Sequence, residues 1–121
     1  MDGIQIHGAH LSLVALFLSD KFNRRTDEYG GNDENRARFL VEIIQKIKKE
    51  MGDEFIISIT IYCEGKDDTV NESGYYVAGK LAAEAGTDLI VVSGNNFKEK
   101  NGWSVVFAPK NLLRWLKFQL L

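Results

Sequence analysis

Residues 32–62, NDENRARFLVEIIQKIKKEMGDEFIISITIY, decide the fold of this chain. In the first part, apolar side chains recur at helical spacing on one face, and a run rich in isoleucine follows. The pattern predicts a helix capped by Asn32 or Asp33 and stopped by Gly52. A strand is predicted next, over residues 55–62. Because this strand is nearly continuous in apolar residues, we expect it to be covered on both faces in a parallel sheet.

The flanking sequence predicts further units of the same kind. Short apolar runs indicate strands over residues 4–6 and 88–93, and a helix is predicted over residues 71–85, closed by Gly86. Residues 11–18 suit either a helical turn or a packed loop. The order strand, helix, strand, helix, strand is typical of right-handed βαβ units, so the expected class is α/β with a parallel sheet.

The composition is that of an ordinary globular chain. It has 121 residues, 45% of them hydrophobic, and a formal net charge of -2. This charge argues against a general nucleic-acid or anionic-membrane binder, and no apolar run approaches the roughly 20 residues that span a bilayer. No signal peptide is visible, and the single cysteine fits a reducing compartment. We therefore expect a cytoplasmic protein without nucleic-acid or membrane partners.

Two histidines, His7 and His10, stand three residues apart just past a predicted strand end. Two N–H donors there would bind a carbonyl or phenolate oxygen and stabilise the charge that develops when hydride adds to a conjugated double bond. The same spacing suits a metal ion, although no carboxylate or cysteine is obvious as a further ligand. Loop histidines that bond to backbone carbonyls are a third interpretation. The spacing alone leaves all three open.

Longer motifs around the histidines carry more information. The segments DGIQIHGAH (residues 2–10), NRRTDEYGG (residues 23–31) and ENRARF (residues 34–39) closely resemble the signature of the Old Yellow Enzyme family of NADH:flavin oxidoreductases. The resemblance covers roughly residues 2–95, and the block over residues 23–39 is highly specific. It implies a TIM barrel that binds FMN, accepts electrons from NADH or NADPH, and passes hydride to an electrophilic acceptor such as an activated alkene.

The resemblance also implies roles for single residues. His7 and His10 would bind the oxygen of the acceptor above the flavin. Ser12 and Tyr29 would lie at the substrate rim, and Ser12 stands where many family members have a proton-donating tyrosine. Thr60 matches the position of a basic residue near the pyrimidine end of the flavin. No metal ion is expected.

Charged residues are concentrated in residues 24–38. They would either shape the rim of the active site or form ion pairs and a helix cap, with Asp27 or Glu34 among them. We favour the structural interpretation.

Cys63 follows the second predicted strand, and only Lys66 is a basic residue near it. We therefore expect a structural rather than a redox-active thiol.

Three parallel βα units are too few to close a barrel of eight strands. We therefore expect a partial TIM barrel, in which residues 1–95 form the middle portion of an FMN-binding domain. Residues 96–121 would form a divergent tail with a short C-terminal helix.

Two functional expectations follow. One is an FMN-dependent NAD(P)H oxidoreductase that acts on a small-molecule acceptor with a complementing chain. The other is a truncated, non-catalytic remnant that self-associates through open sheet edges.

Overall fold

A parallel sheet with helices packed on one face forms the body of the molecule. The structure is a computed structural model, and it describes residues 2–62, 72–93 and 104–107. Three strands run parallel in chain order, and a fourth pairs with the third in the antiparallel direction. The three parallel strands confirm the predicted α/β class. The elements are β1 (Gly3–Gly8), α1 (Leu13–Leu18), α2 (Asp33–Met51), β2 (Ile56–Tyr62), α3 (Glu72–Glu84), β3 (Leu89–Ser93) and β4 (Ser104–Phe107).

The longest helix, α2, forms as its sequence predicts. Its N-cap is Asn32, whose side-chain oxygen accepts a hydrogen bond from the backbone N–H of Asn35 at 2.8 Å. Gly52 ends the helix with a φ of 82°, a left-handed conformation that glycine adopts without steric cost. Leu40 and Ile44 are buried on the face that packs against the sheet. The predicted limits and apolar face of this helix are therefore confirmed.

The two faces of the sheet differ in what covers them. The outer face packs against the helices and buries Ile57 and Ile59 of β2 together with Ile90 of β3. On the opposite, inner face, Ile56 is 51% exposed and Thr60 is only partly buried. Within the described residues the helices cover only one face of β2, so the expectation of cover on both faces is wrong there. In a closed barrel the inward-facing side chains point into the interior, which they fill together with side chains from the other strands.

The sequence does not predict β4. This strand pairs antiparallel with β3, with Ile90 opposite Phe107 and Ser93 opposite Ser104. Its four residues are too few for periodicity to distinguish a strand from a packed loop. The C-terminal helix that the sequence predicts over residues 109–121 lies outside the described residues.

Hydrogen bonds join three elements at the lower end of the sheet, where the parallel strands begin. Lys48 of α2 donates from Nζ to the Asp88 carboxylate at 2.9 Å and to the Phe55 carbonyl at 3.0 Å. The same Asp88 oxygen accepts a hydrogen bond from the Ile57 N–H at 2.8 Å. Burial alone would raise the pKa of Asp88, but the bonds from Ile57 and Lys48 outweigh it and lower the pKa. These contacts tie α2, β2 and β3 together.

Candidate functional site

A strained loop follows β1 at the upper end of the sheet, where the parallel strands end. Functional residues of βα-barrels gather at this end. His10 and Leu11 both adopt left-handed backbone conformations, with φ values of 51° and 58°. Such conformations are unfavourable for residues with a Cβ and persist where the surrounding structure imposes them. The loop therefore has a shape that its own residues do not prefer.

This loop brings the two histidine side chains close together. The ring centroids of His7 and His10 lie 6.0 Å apart, and the ring planes are inclined by 27°. Both residues are exposed. Each neutral imidazole carries one N–H donor and one acceptor, so the pair offers two polar groups to a ligand that approaches the upper end of the sheet.

Ser12 closes the loop and begins α1. Its hydroxyl donates a hydrogen bond to the His7 carbonyl at 2.7 Å and accepts one from the Ala15 N–H at 3.3 Å. The backbone N–H of Ser12 donates to the Ala9 carbonyl at 3.1 Å. A hydroxyl has a single proton, so the proton of Ser12 is directed to a backbone carbonyl. The structure thus places Ser12 beside the histidine pair, and its role at the substrate rim stays a prediction.

Next to His7, the inner face carries a neutral polar pair. The Gln5 amide nitrogen donates a hydrogen bond to the Thr60 hydroxyl at 2.6 Å, across the boundary between β1 and β2. Thr60 is also the register partner of His7. Gln5 is a residue that the sequence reasoning missed. The signal was available, because residues two apart on a strand share one face.

The inward-facing strand positions carry no lysine or arginine in the part of the chain that the structure describes. The polar side chains among them are one amide, two hydroxyls and one imidazole, which suit hydrogen bonding to the polar edge of a flat heteroaromatic ring. They offer no positive charge to a phosphate. The positions are Gly3, Gln5, His7, Ile56, Ser58, Thr60, Leu89 and Val91.

A hydrogen-bonded loop, residues 19–32, joins α1 to α2. The Asn23 amide nitrogen donates hydrogen bonds to the carbonyls of Phe17 at 2.6 Å and Tyr29 at 2.7 Å. A Cβ atom at Gly30 would lie 2.2 Å from a backbone carbonyl oxygen, so only glycine fits there. Side-chain amides and a close backbone approach therefore fix the shape of this loop.

Two ion pairs form among the charged side chains of this region. Arg25 donates a hydrogen bond from Nε to Asp27 at 2.9 Å, and its guanidinium lies 5.4 Å from the centre of the Tyr29 ring. The bond from Arg25 holds the pKa of Asp27 below its ordinary value. At the start of α2, Asp33 forms an ion pair with Arg36. These contacts support the structural interpretation of the charged block.

Tyr29 is anchored to α2. Its hydroxyl donates a hydrogen bond to the Glu42 carboxylate at 2.9 Å, and its ring packs edge-on against Phe17 with the centroids 6.2 Å apart. The bond to Glu42 raises the pKa of the Tyr29 phenol. These contacts describe a side chain that packs loop 19–32 onto the helix. Its expected place at the substrate rim stays a prediction.

The first turns of α2 and α3 meet through a serine that the sequence did not single out. The Ser73 hydroxyl donates a hydrogen bond to the Asp33 carboxylate at 2.6 Å. Burial alone would raise the pKa of Asp33, but the bonds from Ser73 and Arg36 outweigh it and lower the pKa. The two helices are thereby fixed to each other at the ends from which they start.

Three further expectations concern a metal site, a membrane-spanning helix and Cys63. In residues 2–62, 72–93 and 104–107, no group of three or more histidine, cysteine or acidic side chains is arranged to hold a metal ion. None of the helices described is long and apolar enough to cross a membrane. Cys63 lies outside the described residues.

The sequence matches proteins of one family. The profile of the NADH:flavin oxidoreductase / NADH oxidase family matches residues 1–74. The chain is 36% identical over 123 residues to the NADH oxidase of Thermoanaerobacter brockii, a match that covers 90% of this chain and 18% of that protein. It is 38% identical over 84 residues to the 12-oxophytodienoate reductase 2 of Arabidopsis thaliana, covering 66% of this chain and 22% of that protein.

Two solved structures resemble the fold. The Old Yellow Enzyme homologue from Zymomonas mobilis matches with a TM-score of 0.71 and 26% sequence identity, over 94% of this chain and 33% of that chain. A 2-naphthoyl-CoA reductase in complex with 2-naphthoyl-CoA matches with a TM-score of 0.71 and 32% identity. That match covers 78% of this chain and 14% of the other.

These similarities define a class of flavin-dependent oxidoreductases built on the TIM barrel. The chain belongs to the NADH:flavin oxidoreductase / NADH oxidase family, which includes the Old Yellow Enzymes. The resemblance found in its sequence is thus confirmed, and FMN and NAD(P)H are supported as the cofactors of the family. The chain spans about a fifth of the length of the two curated relatives described here, 18% of one and 22% of the other.

Proposed function

We propose that this chain supplies the acceptor-binding part of an FMN-dependent oxidoreductase. The enzyme would take hydride from NADH or NADPH and deliver it to an electrophilic acceptor such as an activated alkene. The observation that carries the proposal is the exposed pair of His7 and His10, 6.0 Å apart at the upper end of a sheet of this family. The bound flavin would supply the hydride chemistry.

The histidine pair would bind the oxygen atom of the acceptor. Negative charge develops on a carbonyl oxygen as hydride adds to the conjugated carbon, and N–H donors aimed at that oxygen stabilise the charge. A proton must then reach the neighbouring carbon. Ser12 is poorly placed to give it, because its hydroxyl already donates to the His7 carbonyl. Water or a group elsewhere in the barrel would supply this proton.

Gln5 and Thr60 fit the polar edge of a flavin ring. Their side chains meet on the inner face next to His7, where an amide and a hydroxyl would form hydrogen bonds with ring nitrogen and oxygen atoms. In barrels of this kind the phosphate is commonly held by the loops after the last two strands. We therefore propose that a complementing chain, or further sequence of a longer protein, provides the phosphate site.

A second candidate function rests on the direction of β4. A barrel of this type is built from parallel strands, whereas β4 pairs antiparallel with β3. This favours a non-catalytic remnant of the family that self-associates through its sheet edges.

For both candidate functions we propose that the protein lies in the cytoplasm, because its single cysteine fits a reducing compartment.

The first test is a titration of the purified chain with FMN. Flavin fluorescence and visible absorption measure the binding. Saturable binding with a perturbed spectrum would show that this chain suffices to hold the cofactor. Size-exclusion chromatography of the same sample measures self-association. A monomer that binds no FMN would contradict the remnant candidate and would leave the enzyme proposal to the next experiment.

A chimera tests the enzyme proposal directly. Residues 2–93 of this chain would replace the matching segment of the Zymomonas mobilis homologue, and the FMN-loaded chimera would be assayed with NADH and 2-cyclohexenone. We expect turnover, and we expect the His7→Ala and His10→Ala double variant to lose about 100-fold in kcat/KM, as removal of oxyanion donors does. Leu13→Ala, at an exposed position of α1, is the matched control. A chimera that binds FMN but gives equal rates with and without the histidines would overturn the proposal.

A further inference from the structure

The strained loop between β1 and α1 needs a restraint. His10 and Leu11 hold φ values of 51° and 58°, which are unfavourable for residues that have a Cβ. Glycine would adopt these values freely, but neither position is glycine. Leu11 is 60% exposed, so burial of its side chain does not compensate for the strain. Bonds at the two ends of the loop are available to hold this conformation.

Ser12 makes those bonds. Its hydroxyl donates to the carbonyl of His7, the penultimate residue of β1, at 2.7 Å. The same oxygen accepts from the Ala15 N–H at 3.3 Å, and the Ser12 N–H donates to the carbonyl of the fully buried Ala9 at 3.1 Å. One residue thus links the end of β1 to the first turn of α1. The two left-handed residues lie between these linked points.

We propose that Ser12 is a positioning residue for the histidine pair. Its hydroxyl clamps the His7 carbonyl, keeps His10 and Leu11 in the left-handed conformation, and thereby sets the 6.0 Å separation of the two rings. This role differs from that of the proton donor whose position Ser12 occupies by family resemblance. The use of the pair for acceptor binding rests on the proposed function, but the clamp itself is a property of this chain.

Two substitutions separate the clamp from simple helix capping. Ser12→Asp keeps a good N-cap, because a carboxylate accepts a hydrogen bond from the helix N–H groups, but an ionised carboxylate has no proton to donate to the His7 carbonyl. Ser12→Thr keeps both the donor and the acceptor. A residue that only caps α1 would tolerate both changes. A clamp tolerates threonine alone.

Nuclear magnetic resonance of the full chain gives a direct measurement. The chain has two histidines, and both belong to this pair, so every imidazole signal reports on the site. We expect a nuclear Overhauser cross-peak between the two rings in the natural chain and in Ser12→Thr, and its loss in Ser12→Asp. Thr87→Val is the matched control, since it removes a buried hydroxyl that has no hydrogen-bond partner among the described residues.

The spectra also show whether each variant is folded. Amide signals of α2 and β2 should keep their positions in Ser12→Asp, so that the lost cross-peak reflects the loop alone. Retention of the cross-peak in Ser12→Asp, or its loss in Ser12→Thr, would overturn the clamp. This result is independent of flavin binding, so failure of the FMN and chimera experiments would be distinguishable from failure of this inference.

Discussion

Ile59 and Thr60 are neighbours on β2, yet they belong to two different environments. Ile59 is 1% exposed and packs among the helices of the outer face, whereas Thr60 lies on the inner face and bonds to Gln5. The outer face is apolar and closely packed. The inner face and the loop above it combine polar side chains with backbone strain. The comparison indicates that the outer face stabilises the fold, whereas the inner face and upper loop carry the polar side chains and the backbone strain on which the proposed binding function rests.

The largest effect is expected on the outer face. Ile59→Ala removes a buried branched side chain and leaves a cavity under the helices, so the free energy of unfolding should fall by about 2–5 kcal/mol. Urea denaturation followed by circular dichroism measures it. A loss below about 1 kcal/mol would mean that the outer face is not the stabilising core described here.

At the lower end of the sheet, Asp88→Asn should have a smaller and pH-dependent effect. The pKa of Asp88 is lowered in the folded chain, so its contribution to stability is present above the ordinary value of 3.8 and is lost as the pH falls through the folded-state value. Because the pair with Lys48 is partly exposed to solvent, we expect a loss of no more than about 1 kcal/mol near neutral pH.

Denaturation at a series of pH values measures this change. The difference between the natural chain and Asp88→Asn should shrink as the pH falls from about 5 to about 2. Glu50→Gln, in an exposed ion pair of α2, is the control. A difference that stays constant over this range would show that the charge of Asp88 does not contribute.

In the strained loop, a substitution is expected to have the opposite sign. Leu11→Gly relieves a left-handed conformation at a position that is 60% exposed, so the free energy of unfolding should stay level or rise by up to about 1 kcal/mol. Gly31→Ala offers the reverse case, because that glycine already has a φ of 93°. Thermal unfolding of Leu11→Gly and Gly31→Ala measures the change in stability that each substitution causes. Destabilisation by Leu11→Gly would indicate that the loop is not strained.

The smallest effect is expected at Thr60. Thr60→Val keeps the shape of the side chain and removes the acceptor of the Gln5 amide, which remains accessible to water. We therefore expect a change of less than about 0.5 kcal/mol. Urea denaturation of Thr60→Val and Ile59→Ala under the same conditions compares the losses in the free energy of unfolding at the two adjacent residues. A change at Thr60 as large as that at Ile59 would remove the distinction between the two faces.

Much of the fold could be predicted from the sequence. The helix α2 has a cap, a periodic apolar face and a terminal glycine, and these local signals suffice because they depend on near neighbours. The order of strands and helices likewise predicts the parallel sheet. β4 could not be predicted, because its pairing depends on where β3 lies rather than on its own four residues.

The site was predictable only in part. The spacing of His7 and His10 and the family motifs point to the upper loop, which the structure describes. The bond between Gln5 and Thr60 joins residues 55 positions apart and requires the strand register. The left-handed conformation of Leu11 has no sequence signal, since leucine is not a residue that favours it.

The antiparallel direction of β4 has a consequence for how the sheet can grow. The hydrogen-bonding groups along one edge of β3 are engaged by β4, and each can serve only one neighbour at a time. A further parallel strand could join β3 only after β4 had left. Barrel completion at that edge and the pairing of residues 104–107 are therefore competing states of the same strand. Any partner that completes the barrel there must displace a piece of this chain before it can dock.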